Sequence, residues 1–82
     1  CATCVRVPVA NGHSESILIE TEKKLSADEA RRLLAGFPGI VVEDDLGAKK
    51  YPTPRTASGR DEVFVGRIRE DASCPTGIAL WC

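Results

Sequence analysis

The chain has 82 residues, of which 43% are hydrophobic, so it can form one small domain with a modest core. Eleven basic and twelve acidic residues leave a net charge of −1, which argues against a nucleic acid partner because phosphate binding requires a basic excess. No apolar run reaches the roughly 18 residues of a membrane span, and no basic start precedes an apolar stretch as in a signal peptide. We therefore expect a single cytoplasmic domain over residues 1–82, with no nucleic acid and no membrane among its partners.

Two alternating segments and the turn between them begin the chain. Residues 3–10 and residues 14–22 alternate between apolar and polar side chains, which predicts two strands. Residues 11–13 begin with the turn dipeptide Asn-Gly, so the two strands are expected to form an antiparallel hairpin. Beside this corner lie Arg6, a cation, and His13, the only histidine, a residue type that can exchange protons near neutral pH. The residues alone leave two interpretations open for each, a catalytic or binding role and an ordinary solvated side chain.

A helix is predicted next. Ser26-Ala27-Asp28-Glu29 has the pattern of a capping box, which marks a helix start. Apolar residues then recur at helical spacing along one stripe that extends to Phe37, with Arg31 and Arg32 outside it on a solvated face. Glycine and proline at residues 36–39 end the helix.

The second half of the chain predicts three more strands. Residues 40–42 form a short apolar strand, and the acidic run at residues 43–45 lacks the ligand spacing of a calcium loop. Residues 47–60 are rich in proline and in basic residues and predict an irregular path.

Strands at residues 62–69 and 77–82 complete the chain, the former with Phe64 and Ile68 on one face and with Gly66 indicating a bulge or a close approach. The order β-β-α-β-β-β predicts an α+β fold, a mostly antiparallel sheet with one helix packed on a face.

The four cysteines are Cys1, Cys4, Cys74 and Cys82. Cys1 and Cys4 have the spacing of half a zinc motif, but the second half is missing. Cys4 and Cys74 fit ordinary buried cysteines of a cytosolic protein. A disulfide between Cys1 and Cys82 would be geometrically feasible if the first and last strands are neighbours, and it could stabilise the chain by up to ~4–5 kcal/mol in the chain-entropy model.

Several spaced runs resemble one known family over essentially the whole chain. They resemble the aspartate-β-semialdehyde dehydrogenases, and in order they are CVRVPV at 4–9, GHSE at 12–15, KYPTP at 50–54, DEVFVGRIR at 61–69 and GIALW at 77–81. The resemblance implies a fragment of the C-terminal catalytic and dimerisation domain. The family's nucleophilic cysteine and its glycine-rich nucleotide-binding turn would lie upstream of the matched region, and a further helix downstream.

The resemblance also implies a chemistry. Enzymes of this family interconvert aspartyl phosphate and aspartate semialdehyde with NADP as the cofactor, in amino-acid biosynthesis. Their active-site acid/base is the histidine of the Gly-His-Ser run, here His13, and the arginine seven residues earlier, here Arg6, binds the substrate carboxylate. The fragment itself would hold no cofactor and no metal, and its partners would be the other segments of the parent enzyme and a second copy in a homodimer. We expect no activity from this chain alone. The alternative is a non-catalytic structural module, excised or engineered, stapled by Cys1 and Cys82.

Overall fold

A five-stranded sheet organises the computed structural model, which describes residues 1–82. The strand order is β1-β2-β5-β4-β3; the pairing of β3 with β4 is parallel and the other three pairings are antiparallel. This confirms the α+β class, but the sheet is mixed and not strictly mostly antiparallel, because it contains one parallel pair that the sequence did not indicate. The elements are β1 (Ala2–Val5), β2 (Ser14–Glu20), α1 (Ala27–Ala35), β3 (Ile40–Val42), α2 (Pro54–Ala57), β4 (Val63–Glu70) and β5 (Gly77–Trp81).

The helix α1 starts at the predicted capping box and packs against β3 and β4. Ser26 Oγ accepts a hydrogen bond from the Glu29 backbone N–H at 3.2 Å, and the Glu29 carboxylate accepts one from the Ser26 N–H at 3.2 Å. Leu33 remains 60% exposed although it lies on the predicted apolar stripe. The buried core between helix and sheet consists of Ala30, Val65, Ile68, Ile78 and Leu80.

A bulge in β4 determines which of its residues reach this core. The pairing of β4 with β5 shifts over Gly66–Arg69, and Arg67 adopts a φ of +53°. An extra residue in one strand reverses the alternation of side chains beyond it. Val65 and Ile68 therefore both belong to the core cluster, while Phe64 lines a cleft beside α2. The prediction that Phe64 and Ile68 share a face is wrong for this reason.

A buried carboxylate holds the bulge in place. Asp44, whose side chain is 2% exposed, accepts hydrogen bonds from Arg31 Nε at 2.6 Å and from the backbone N–H groups of Arg67 at 2.8 Å and Ile68 at 3.2 Å. Arg31 also donates to the Ile68 carbonyl and to Asp28, each at 2.7 Å. The hydrogen bond to Asp44 raises the pKa of Arg31. Arg31 is thus the partner of a buried acid, which corrects its assignment to a solvated helix face.

Two connections differ from their predicted boundaries. β1 ends at Val5, not at residue 10, so residues 6–13 form a longer loop than the three-residue turn that was expected. Helix α2 lies inside the segment predicted to be irregular, with Thr53 as N-cap, accepting from the Thr56 N–H at 3.2 Å, and proline in the first turn. Neither helix has the length and apolar character that crossing a membrane demands.

All four cysteines are free, which overturns the predicted disulfide. The Leu18 N–H donates to the Cys1 carbonyl, and the Cys82 N–H donates to the Glu15 carbonyl. Cys1 and Cys82 therefore flank β2 on opposite sides and at different heights, farther apart than the ~7 Å between Cα atoms that a disulfide can span. The first and last strands are separated by β2 and are not neighbours. Cys4 is also exposed and not buried as expected.

Candidate functional site

The loop between β1 and β2 carries both predicted site residues. The register of these strands pairs Cys4 with Glu15. The ladder ends at the Val5–Ser14 pair, so Arg6 and His13 are the next residues on the two sides of the hairpin. The hairpin therefore brings the two residues together, although the chain leaves the strand ladder before it reaches them.

Arg6 and His13 line one cleft of about 570 Å³, together with Cys4 and Glu15. Both side chains are exposed, so a ligand can reach them. None of the four ion pairs of the structure includes Arg6. Its guanidinium can therefore offer its planar set of donors to an incoming carboxylate, and the imidazole of His13 can give or take a proton beside it.

Helix α2 supports the loop that carries His13. Asn11 Nδ2 donates a hydrogen bond to Ser58 Oγ at 3.0 Å. Gly12 has a φ of +89°, and a Cβ atom at this position would lie 3.4 Å from Pro54 Cβ, so the loop packs closely on α2. His13 also lines a second cleft, of about 390 Å³, on the side of α2. The sequence prediction did not include α2; the signal that would have found it is the Thr-Pro-x-Thr capping pattern at residues 53–56.

The thiols nearest the site are not prepared for nucleophilic attack. Cys4 and Cys82 flank Glu15 from the two strands on either side of β2. The negative charge of Glu15, followed by desolvation, raises the pKa of the exposed Cys4, and burial, followed by the charge of Glu15, raises the pKa of Cys82. A raised pKa disfavours the thiolate, which is the nucleophilic form. The charge of Glu15 and desolvation thus favour the thiol form of both cysteines.

The residues present do not fit a dinucleotide. Such a cofactor binds where a strand leads through a glycine-rich turn into a helix N-terminus. The one parallel strand pair here is β3 with β4, and β3 leads into Glu43, Asp44 and Asp45, whose carboxylates would repel a pyrophosphate. No three His, Cys, Asp or Glu side chains gather into a group that could hold a metal ion.

The family model of the semialdehyde dehydrogenase dimerisation domain matches residues 1–82. The chain belongs to this family. Curated semialdehyde dehydrogenases match it along nearly its whole length. The aspartate-semialdehyde dehydrogenase of Aquifex aeolicus is 55% identical over 80 residues, covering 98% of this chain and 24% of the relative, and that of Legionella pneumophila is 55% identical, covering 96% of this chain and 23% of the relative.

Solved structures of semialdehyde dehydrogenases share the fold. The crystal structure of aspartate semialdehyde dehydrogenase II from Vibrio cholerae superposes with a TM-score of 0.84 at 39% identity, covering 93% of this chain and 22% of that one. The chain thus spans about a quarter of the length of the curated relatives that it matches. The predicted family resemblance is confirmed over the whole chain.

Proposed function

We propose that residues 1–82 form one domain of a cytoplasmic, NADP-dependent aspartate-semialdehyde dehydrogenase, an enzyme of amino-acid biosynthesis that converts aspartyl phosphate to aspartate semialdehyde. The observation that carries this proposal is the shared cleft of Arg6 and His13. It occurs in a chain that is 55% identical to curated aspartate-semialdehyde dehydrogenases along nearly its full length.

In this proposal Arg6 and His13 have different roles toward the substrate. Arg6 binds the α-carboxylate through charge-assisted hydrogen bonds and so fixes the position of the reacting carbonyl. His13 transfers a proton to or from the substrate oxygen or the attacking thiol, as a general acid and base. The nucleophilic cysteine and the nucleotide site belong to other parts of the full-length enzyme, where bound NADP supplies the hydride chemistry. We therefore expect no dehydrogenase activity from these 82 residues alone.

The test is a pair of substitutions in the full-length enzyme, each followed by steady-state kinetics with aspartate semialdehyde. His13→Ala should lower kcat by about 10²–10⁴-fold with little change in KM, because proton transfer is lost. Arg6→Ala should mainly raise KM, because the carboxylate loses its anchor. Arg32→Ala, an exposed arginine on α1, is the matched control and should change neither. Equal, mild effects of the first two substitutions would refute the assignment of roles.

We also propose that the full-length protein is a homodimer that associates through this domain. The support for this is the family description, a dimerisation domain, which covers every residue of the chain. The alternative of a module stapled by Cys1 and Cys82 has no such support, because the two cysteines lie on opposite sides of β2.

A further inference from the structure

The loop of residues 6–13 carries both site residues but makes few hydrogen bonds. Every residue in it is exposed, and it lies outside the strands that flank it. One hydrogen bond is internal, from the Val9 N–H to the Val7 carbonyl at 2.9 Å. The other runs from Asn11 Nδ2 to Ser58 Oγ at 3.0 Å. This second bond, which we call the Asn11–Ser58 link, is therefore the only hydrogen bond that joins the loop to another part of the domain.

The contacts of the loop with α2 lie next to the imidazole in sequence. Gly12 separates Asn11 from His13, and a Cβ atom on Gly12 would lie 3.4 Å from Pro54 Cβ and 3.5 Å from Pro54 Cα. His13 itself takes part in no hydrogen bond and lines two clefts, one on the side of Arg6 and one on the side of α2. The position of its ring therefore depends on how its neighbours in the loop are held.

The segment that receives the link is fixed within the domain. Thr53 and Thr56 cap each other's backbone N–H groups at 3.2 and 3.3 Å, and the Ser58 N–H donates to the Pro54 carbonyl at 3.0 Å. Pro52, just before α2, is buried, and it approaches β4 so closely that a Cβ atom on Gly66 would lie 2.5 Å from Pro52 Cδ. Ser58 Oγ is thus a fixed point to which the loop is tied.

We infer that Asn11 and Ser58 are positioning residues that hold His13 where it can transfer a proton. The inference rests on the proposed function, in which His13 is the acid and base. Proton transfer requires donor and acceptor at hydrogen-bond distance, and an error of about 1 Å in position can cost about 10²-fold in rate. Ser14 remains paired in the strand ladder, so loss of the link should displace the ring only partly. Arg6 is five residues from Asn11 and follows the paired Val5, so its hold on the substrate carboxylate should change less.

The experiment measures steady-state kinetics of the full-length enzyme with aspartate semialdehyde. Asn11→Ala and Ser58→Ala should each lower kcat by about tenfold and change KM by less than about twofold. The double variant should be no slower than either single variant, because the first substitution already removes the interaction. Ser58→Thr retains the hydroxyl group and should restore kcat nearly to the wild-type value. Ser73→Ala, which removes a hydroxyl hydrogen bond to Asp71 at 2.8 Å, is the matched control and should leave kcat unchanged.

Two comparisons separate positioning from a general loss of structure. The urea midpoints of the Asn11 and Ser58 variants should equal that of the wild type, because both side chains are exposed. Wild-type kcat in both alanine variants, losses that multiply in the double variant, or a Ser58→Thr enzyme as slow as Ser58→Ala would each overturn the inference. Any of these results in an active enzyme would leave the proposed dehydrogenase function standing. A wild-type enzyme without dehydrogenase activity would instead overturn the proposed function, and this inference with it.

Discussion

Asp44→Asn tests how much one buried carboxylate contributes to the stability of this small domain. The two carboxylate oxygens of Asp44 accept from Arg31 and from the N–H groups of Arg67 and Ile68. Asparagine has nearly the same size but only one acceptor oxygen. Oδ1 of Asp44 accepts from the Arg67 N–H, whereas Oδ2 accepts from both Arg31 and the Ile68 N–H, so in either orientation the new amide N–H₂ of asparagine faces at least one of these donors.

The expected loss is about 3 kcal/mol of unfolding free energy. Breaking a buried ion pair by removing one partner costs about 3–5 kcal/mol. Asp44 is 2% exposed but Arg31 is 32% exposed, so water can solvate part of the abandoned guanidinium and the lower end applies. Domains of this length have a total stability of about 4–12 kcal/mol, so this substitution would remove a large part of it.

The assay is urea unfolding followed by circular dichroism and by the fluorescence of Trp81, the only tryptophan of the chain. Asp28→Ala is the matched control, because it removes the other acidic partner of the same Arg31. Asp28 is 95% exposed, and we expect its loss to cost at most about 1 kcal/mol. If the two variants differ by less than about 1 kcal/mol, the buried network does not have the stabilising role that its geometry indicates.

Two further substitutions test other elements. Gly66→Ala would place a Cβ atom 2.1 Å from the Glu43 carbonyl oxygen, and the resulting shift of β4 should cost about 3 kcal/mol in urea unfolding. The control Gly36→Ala should cost far less, because its Cβ atom would lie 3.7 Å from the Arg32 carbonyl oxygen, and similar losses in the two variants would contradict this explanation. Ser26→Ala removes the cap of α1 and should cost about 1 kcal/mol. Hydrogen bonds from Ser26 lower the pKa of Glu29, so the stabilisation they provide is present above the ordinary carboxyl pKa and lost as pH falls through the lowered value. The urea midpoint should therefore fall less between about pH 6 and pH 2 in Ser26→Ala than in the wild type, and equal declines would argue against the capping box.

The sequence predicted those features whose hydrogen bonds or backbone geometry involve residues close together in the chain. The capping box at residues 26–29 marks the start of α1 correctly because its hydrogen bonds join residues three apart. Gly66 indicated the bulge of β4, because an isolated glycine within a strand pattern is itself a local signal of a bulge or a close approach. The bulge also puts Val65 and Ile68 on one face, where simple alternation would separate them, and it is supported by Asp44, which is more than twenty residues away. No periodicity in β4 itself carries that information.

In the candidate site too, features set by neighbouring residues were predicted and features set by distant residues were not. Alternation along two strands and the family runs around them were enough to single out Arg6 and His13, which line one cleft. Helix α2 was missed because its four residues are too few to show a helical period. The Cys1–Cys82 disulfide failed because the neighbours of a strand follow from the topology of the whole sheet, in which β2 separates the two ends.

The position of β2 between β1 and β5 also has a consequence for the order of events during synthesis. β2 leaves the ribosome before its partner β5, which follows roughly 60 residues later, and pairings so distant in sequence form slowly. Until then β2 has only the edge strand β1 beside it, and the loop that carries His13 lacks the support of Ser58 and Pro54. The nascent chain therefore exposes an unpaired strand edge for most of the domain's translation, and the geometry of the cleft is completed only when the last strand docks.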